Sequence, residues 1–338
     1  MKAWRTLIGI GLAGMAAAVI LQPASRAMSK ETVTFGYLAD PSHEAVLWAL
    51  RNGKIKSDKI DVQASGLQIS ALIQATSART YDVIETAAMA IPRAREHGLD
   101  LKIMGPGLRY HSSGEGAGIW VRKDSPIKSV ADLKGKKLAV YSLGSAGITL
   151  VRIALHDVYG MNVSLKGGDI DFVEMPAPAM PAALATDKVD AATLIHAQAY
   201  KAMQTSEFKA IAQTAQDLND KLHLRMVSAV LAGYGDKLKA NPEIYREFQR
   251  ALYESMRYAK SHPQEVFPAV GKQFNIDPDF FNVWFNKFSD FPVVLSDDDV
   301  KAIGLLWEKA KELDILKSYP PVEQAIWDKT LTEKEVTK

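Results

Sequence analysis

From Val33 onward, short apolar runs alternate with stretches whose apolar residues recur every three or four positions. The pattern predicts strands at "VTFGYL" (33–38), "IDVQAS" (60–65), "YDVIETA" (81–87) and "LKIMGPG" (101–107). Helices fall between them at "HEAVLWALRNGKI" (43–55), "LQISALIQATSA" (67–78) and "AMAIPRAREHG" (88–98). The rhythm then restarts. Strands are predicted at 136–142, 170–175, 189–195 and 208–214, with helices over 146–160, 178–188 and 197–207. Strands interleaved with helices predict parallel βαβ units, with each sheet covered on both faces. Both halves place a helix, a polar turn and a Tyr-Asp or Val-Asp pair before their third strand ("SARTYDVIETA", "ATDKVDAATLI"). Two similar α/β lobes follow.

Two more strand-like segments, "GAGIWVRKDS" (116–125) and "RMVSAVLAGYGDKL" (225–238), stand where the chain would pass between the lobes. The remainder reads as helical. Asn241-Pro242 and Asp277-Pro278 are cap-plus-proline starts, and Ser296 with Asp299 forms a capping box. The aromatic run "FFNVWFNKF" (280–288) has helical spacing and reads as core packing. The expected organisation is a discontinuous first lobe (28–120 and 228–338) enclosing a second (121–227).

The first residues change the picture of charge and location. "MKAWRTLIGIGLAGMAAAVILQPASRA" carries Lys2 and Arg5, an uncharged apolar stretch from Thr6 to Leu21, and Ser25-Arg26-Ala27. That is the pattern of a secretory signal peptide (1–27), cleaved after Ala27. The chain has 338 residues and a formal net charge of +2; losing Lys2, Arg5 and Arg26 removes three positive charges and leaves it near neutral. Nothing in that balance argues for nucleic acid as a partner. There are no cysteines, so an exported chain of this composition relies on its core, and no lipid-attachment site follows the leader. The periplasm is the expected location, and a monomer the expected state.

Candidate chemistry gathers at the predicted carboxyl ends of strands, where open α/β sheets bind ligands. Foremost is "YSLGSAG". Ser142, Gly144, Ser145, Ala146 and Gly147 form a small-residue loop leading into a helix whose free amides favour an oxyanion. The lysine of a phosphate-binding loop is missing. Other strand ends contribute Tyr37, Asp40 and His43; Glu85, Thr86 and Ala87; Arg109, Tyr110 and His111; and His196 with Gln198. Asp82 and Asp190 stand at strand starts and read as structural. No HxxxH or HxH pair supports a metal, and no nucleophile elbow supports catalysis. No cofactor is expected.

"DSPIKSVADLKGKKLAV", the loop and helix after it, "FVEMPAPAMPAAL" and "KVDAATLI" occur in one order. That order resembles the solute-binding proteins of ABC importers in the nitrate/sulfonate/taurine group, often described as similar to the thiamine-pyrimidine synthases of fungi. The resemblance covers essentially everything after the leader. It implies a type II periplasmic binding fold, two α/β lobes joined by a two-strand hinge, with a small solute trapped between them for an inner-membrane permease. Gly144-Ser145 and the Glu85–Ala87 loop are the positions it places on the ligand. Where relatives often read Trp-Glu-Pro-Trp, this chain has Ile195, His196, Ala197 and Gln198. With Arg109 and the helix N-terminus, that substitution tilts expectation toward an anionic or polar solute. Two alternatives share the fold. The fungal enzymes carry a cysteine-rich motif that a chain without cysteine cannot match, and a ligand-sensing subunit for a membrane receptor would use the same cleft.

Overall fold

The computed structural model describes residues 30–337, and the leader expected over 1–27 lies outside them. The first half runs β1 (Glu31–Leu38), α1 (Pro41–Arg51), β2 (Ile60–Leu67), α2 (Ile69–Ala78), β3 (Val83–Ala87), α3 (Ala90–Glu96) and β4 (Leu101–Tyr110). After β5 (Ala117–Arg122) come β6 (Lys136–Val140), α4 (Ala146–Asp157), β7 (Ile170–Glu174), α5 (Met180–Ala185), β8 (Ala191–Ile195), α6 (His196–Gln204), β9 (Phe208–Ala212) and α7 (Thr214–Leu222). The chain finishes with β10 (Val227–Tyr234), α8 (Gly235–Ala240), α9 (Pro242–Ser261), α10 (Pro263–Phe274), α11 (Asp279–Val283), β11 (Ser289–Asp290) and α12 (Asp297–Glu312), followed by two single-turn helices.

Two sheets result, one ordered β11-β4-β10-β3-β1-β2 and the other β7-β6-β8-β5-β9. The plans match. In each, the first strand lies between the second and third and runs parallel to both. Beyond the third lies a strand delivered by a crossing segment and running antiparallel, β10 in one sheet and β5 in the other. The crossings themselves run through 111–116 and 223–226, immediately ahead of those two strands. All of β5 therefore pairs within the second sheet, and the lobe boundary expected after residue 120 falls inside it.

The Asp that precedes each third strand explains why the halves read alike. Asp82 accepts hydrogen bonds from the Thr34 amide (2.9 Å) and hydroxyl (2.6 Å) of β1. Asp190 accepts one from the Lys137 amide of β6 (2.8 Å). Each carboxylate pins the start of its lobe's third strand to the first, at the edge opposite the ligand edge.

The C-terminal helices begin where the caps predict. Pro242 opens α9, and Ser296 and Asp299 form the reciprocal capping box of α12. α9 lays Phe248, Leu252 and Met256 against α1 as part of the main apolar core. These helices also reach the second lobe. α12 packs on α4, with Lys309 3.2 Å from Asp157, and α11 packs on α6 through Phe280 and Tyr200. The aromatic run is buried as expected at Phe280, Phe281, Trp284, Phe285 and Phe288, and its last five residues form a wider π-type turn.

Candidate functional site

A small cleft of about 70 Å³ lies between the two sheets at the carboxyl ends of their parallel strands. The first lobe supplies Leu38 from β1, Ile69, Leu72 and Ile73 from α2, Glu85, Thr86 and Ala87 from β3, Leu108 from β4, and Ser228 and Ala229 from β10. The second supplies Tyr141, Ser145, Ala146 and Gly147 around the start of α4, and Ile195 and His196 where β8 gives way to α6. The walls are mostly aliphatic, with a few polar groups set among them.

On the first-lobe wall, Glu85 is buried and both its oxygens are engaged. Oε1 is 3.0 Å from His43 Nε2, and Oε2 accepts the Leu38 amide at 3.0 Å. His43 stands directly behind it, with Nδ1 3.2 Å from the Ser42 hydroxyl, which itself donates to Asp40 at 2.6 Å. Because the Ser42 proton is committed to Asp40, its oxygen accepts from His43, and both ring nitrogens of His43 are donors. That is the imidazolium form. Burial alone would lower its pKa; Glu85, supported by Asp40 and Glu44, more than reverses this and raises it. The pair is therefore a buried carboxylate–imidazolium with no net charge.

The opposite wall is uncharged. His196 occupies the left-handed region (φ 48°) at the β8–α6 junction, and its Nδ1 accepts the indole N–H of Trp284 at 2.7 Å. An indole nitrogen only donates, so Nδ1 carries no proton and Nε2 is the N–H donor. Burial lowers the His196 pKa, Asp40 and Glu85 oppose the change only in part, and His43 adds to it. Beside it, Ser145 caps α4 by accepting the Ile148 amide at 3.2 Å while donating to the Ser142 carbonyl at 2.8 Å. The amides of Ala146 and Gly147, at the first positions of the helix, have no intrahelical acceptor. The absence of a side chain at Gly147 leaves room for the Tyr141 hydroxyl, which a Cβ there would displace.

The structure thus brings Glu85, Thr86, Ala87, Ser145, Ala146, Gly147 and His196 to one cleft, with His43 buried behind Glu85. Others go elsewhere. Tyr37 pairs with Glu44 and accepts from Arg51, and Asp40 caps α1 through the Ser42 amide. Arg109, expected at the ligand, is buried against Asp299 (3.1 Å) and Asp290 (3.4 Å), where it joins β4 to α12 and to β11. His111 turns to Ser113 within the crossing segment, and Gln198 is half-buried on α6 outside the cleft. Tyr110 is buried in the core near Gly147, while Ser142 and Gly144 shape the loop without lining the cleft. The Gly144 carbonyl accepts from Arg93 of α3 at 2.6 Å, a direct link between lobes.

The aliphatic lining was not foreseen, because Leu38, Ile69, Leu72, Ile73 and Leu108 sit in runs whose periodicity reads as core. Ser228 and Ala229 were hidden within a strand read as a connection. Tyr141 could have been found as the residue directly before the small-residue loop. Trp284 carried no chemical signal, since its role depends on meeting His196 across 88 positions.

Two α/β lobes with matching strand orders, facing across a cleft at their strand ends, define the periplasmic-binding-protein fold. The same fold is found in the aliphatic sulphonate binding protein SsuA from Escherichia coli, 17% identical with a TM-score of 0.68 over 90% of this chain and 94% of that one. The alkanesulfonate-binding protein SsuA from Xanthomonas axonopodis pv. citri, bound to MOPS, is 16% identical with a TM-score of 0.68 over 88% and 98%. The desulfurization enzyme DSZB is 16% identical with a TM-score of 0.59 over 88% and 96%. No curated protein sequence matches this one. The NMT1/THI5-like family model matches residues 87–266, more than half of the chain, and the chain belongs to that family.

Proposed function

We propose that the protein is the solute-binding component of an ABC importer, exported to the periplasm and freed of its leader. There it traps a small organic solute between its lobes and delivers it to an inner-membrane permease. The observation that carries this reading is a single cleft walled by both lobes, with polar groups from each facing the same small volume. A solute touching Glu85 on one side and His196 and α4 on the other favours the closed arrangement over the open one by its contacts with both walls. Micromolar affinity requires about 8 kcal/mol, within reach of a few hydrogen bonds and aliphatic packing in a dry site.

Among the described residues no helix is long and apolar enough to cross a membrane. Catalysis has less support. Ser145 spends its proton on a backbone carbonyl, and the cleft hydroxyls of Ser145 and Ser228 are bonded to neither histidine, so no base is set on a nucleophile. The direct test is ATP turnover by a candidate permease with its ATPase, reconstituted in vesicles with this protein and the solute it carries. Turnover stimulated only when both are present upholds the reading, and turnover indifferent to the protein overturns it.

A further inference from the structure

We infer that the cleft selects a neutral solute that presents a carbonyl-type hydrogen-bond acceptor on an apolar body, an inference that rests on the solute-binding reading. The groups available to a ligand decide its charge. The donors free on the second-lobe wall are uncharged: Nε2–H of His196 and the Ala146 and Gly147 amides. Across from them Ser228 lines the cleft at 6% exposure, and its buried hydroxyl has no hydrogen-bond partner. A wholly apolar occupant would leave these groups unpaired in a closed site, at a cost in affinity for each.

An anion fares worse. It would be stripped of water with no unpaired cationic side chain to receive it. His43 is spent on Glu85, and Arg109 on Asp290 and Asp299. Arg93 lines a neighbouring cavity and donates to the Gly144 carbonyl. A cation gains no more, since His43 already neutralises Glu85. What remains is an uncharged acceptor, held by the His196 and α4 donors, on a body that fills the space between Leu72, Ile73, Leu108 and Ile195. The anionic or polar solute expected from the sequence drew on residues 195–198, the helix N-terminus and Arg109, and of these Arg109 is not at the cleft.

Calorimetric titration with two matched pairs, benzamide against benzoate and benzenesulfonamide against benzenesulfonate, tests this at constant shape. The neutral member of each pair is expected to bind at least about tenfold more tightly. Equal or tighter binding of the anions overturns the inference, and so does failure of the purified, folded protein to bind benzamide or benzenesulfonamide at millimolar concentration. Ser228→Ala is expected to weaken benzamide several-fold with its melting temperature unchanged; unaltered affinity removes Ser228 from the site and overturns its part in the inference. Native mass spectrometry of protein purified without these probes separates the two readings. A neutral acceptor-bearing compound released on denaturation upholds both. A released anion upholds solute binding and overturns the neutral class.

Discussion

His196 holds a left-handed backbone at φ 48° although it is not glycine, a conformation that costs an ordinary residue about 1–2 kcal/mol. Trp284 helps to retain it, because the indole donates to Nδ1 and stacks 6.0 Å away. His196→Gly is therefore expected to be about 1 kcal/mol more stable than His196→Ala in denaturant melts, with both variants losing solute affinity. Trp284→Phe keeps most of the packing and deletes the indole donor. Nitrogen NMR of the His196 ring should then report a mixture of tautomers where the intact protein has one.

His43 and His196 also give stability opposite slopes with pH. The raised pKa of His43 means its stabilisation is fully present below the ordinary histidine value of 6.5 and fades as pH rises through the folded-state value. The lowered pKa of His196 means the fold resists a proton that the unfolded chain accepts, so stability falls as pH drops below 6.5. These two groups alone predict a maximum near the ordinary histidine range. His43→Gln should flatten the alkaline limb of a chemical-denaturation series and His196→Gln the acid limb.

Among the elements, β4 and α12 depend on a charge cluster that the sequence did not reveal. Arg109 meets Asp299, the same residue that closes the α12 capping box, and Asp299 is fully buried. Arg109→Met strands that carboxylate and is expected to cost about 3–5 kcal/mol by thermal or urea denaturation. Ser145→Ala removes the α4 cap and should cost about 1 kcal/mol. The strands and helices themselves were largely legible, because alternating burial and terminal caps act over a few residues. α7 was missed since "TAQDLNDKL" buries little beyond Thr214, Ala215, Leu218 and Asn219, too few apolar positions to show a period. β11 has two residues and exists only through its pairing with β4. The lining of the candidate cleft was legible where it follows a strand end, as at Glu85, Ser145 and His196. It was illegible where a charged side chain had two possible destinations, as at Arg109, because local sequence does not say which carboxylate the fold will bring near.

Across the whole molecule, the lobes are joined by more than the two crossings. Arg93 reaches the Gly144 carbonyl, Trp284 reaches His196, and Lys309 reaches Asp157. The first two flank the cleft, so opening must break them. Arg93→Ala is expected to shift the unliganded protein toward the open form, seen as a larger radius of gyration in solution scattering, with added solute restoring the compact value. An unchanged radius would mean that Arg93 does not help hold the lobes together.

The placement of β10 also orders events during synthesis. The second sheet is made from one uninterrupted stretch, 117–212, and can assemble once that stretch has emerged from the ribosome. The first sheet cannot, because β10 lies between β3 and β4 and is made after every strand of the other lobe. The lobe that begins first is completed last, and until residue 234 is available β3 and β4 lack the strand that joins them. A chain so arranged stays incompletely folded until β10 has been made.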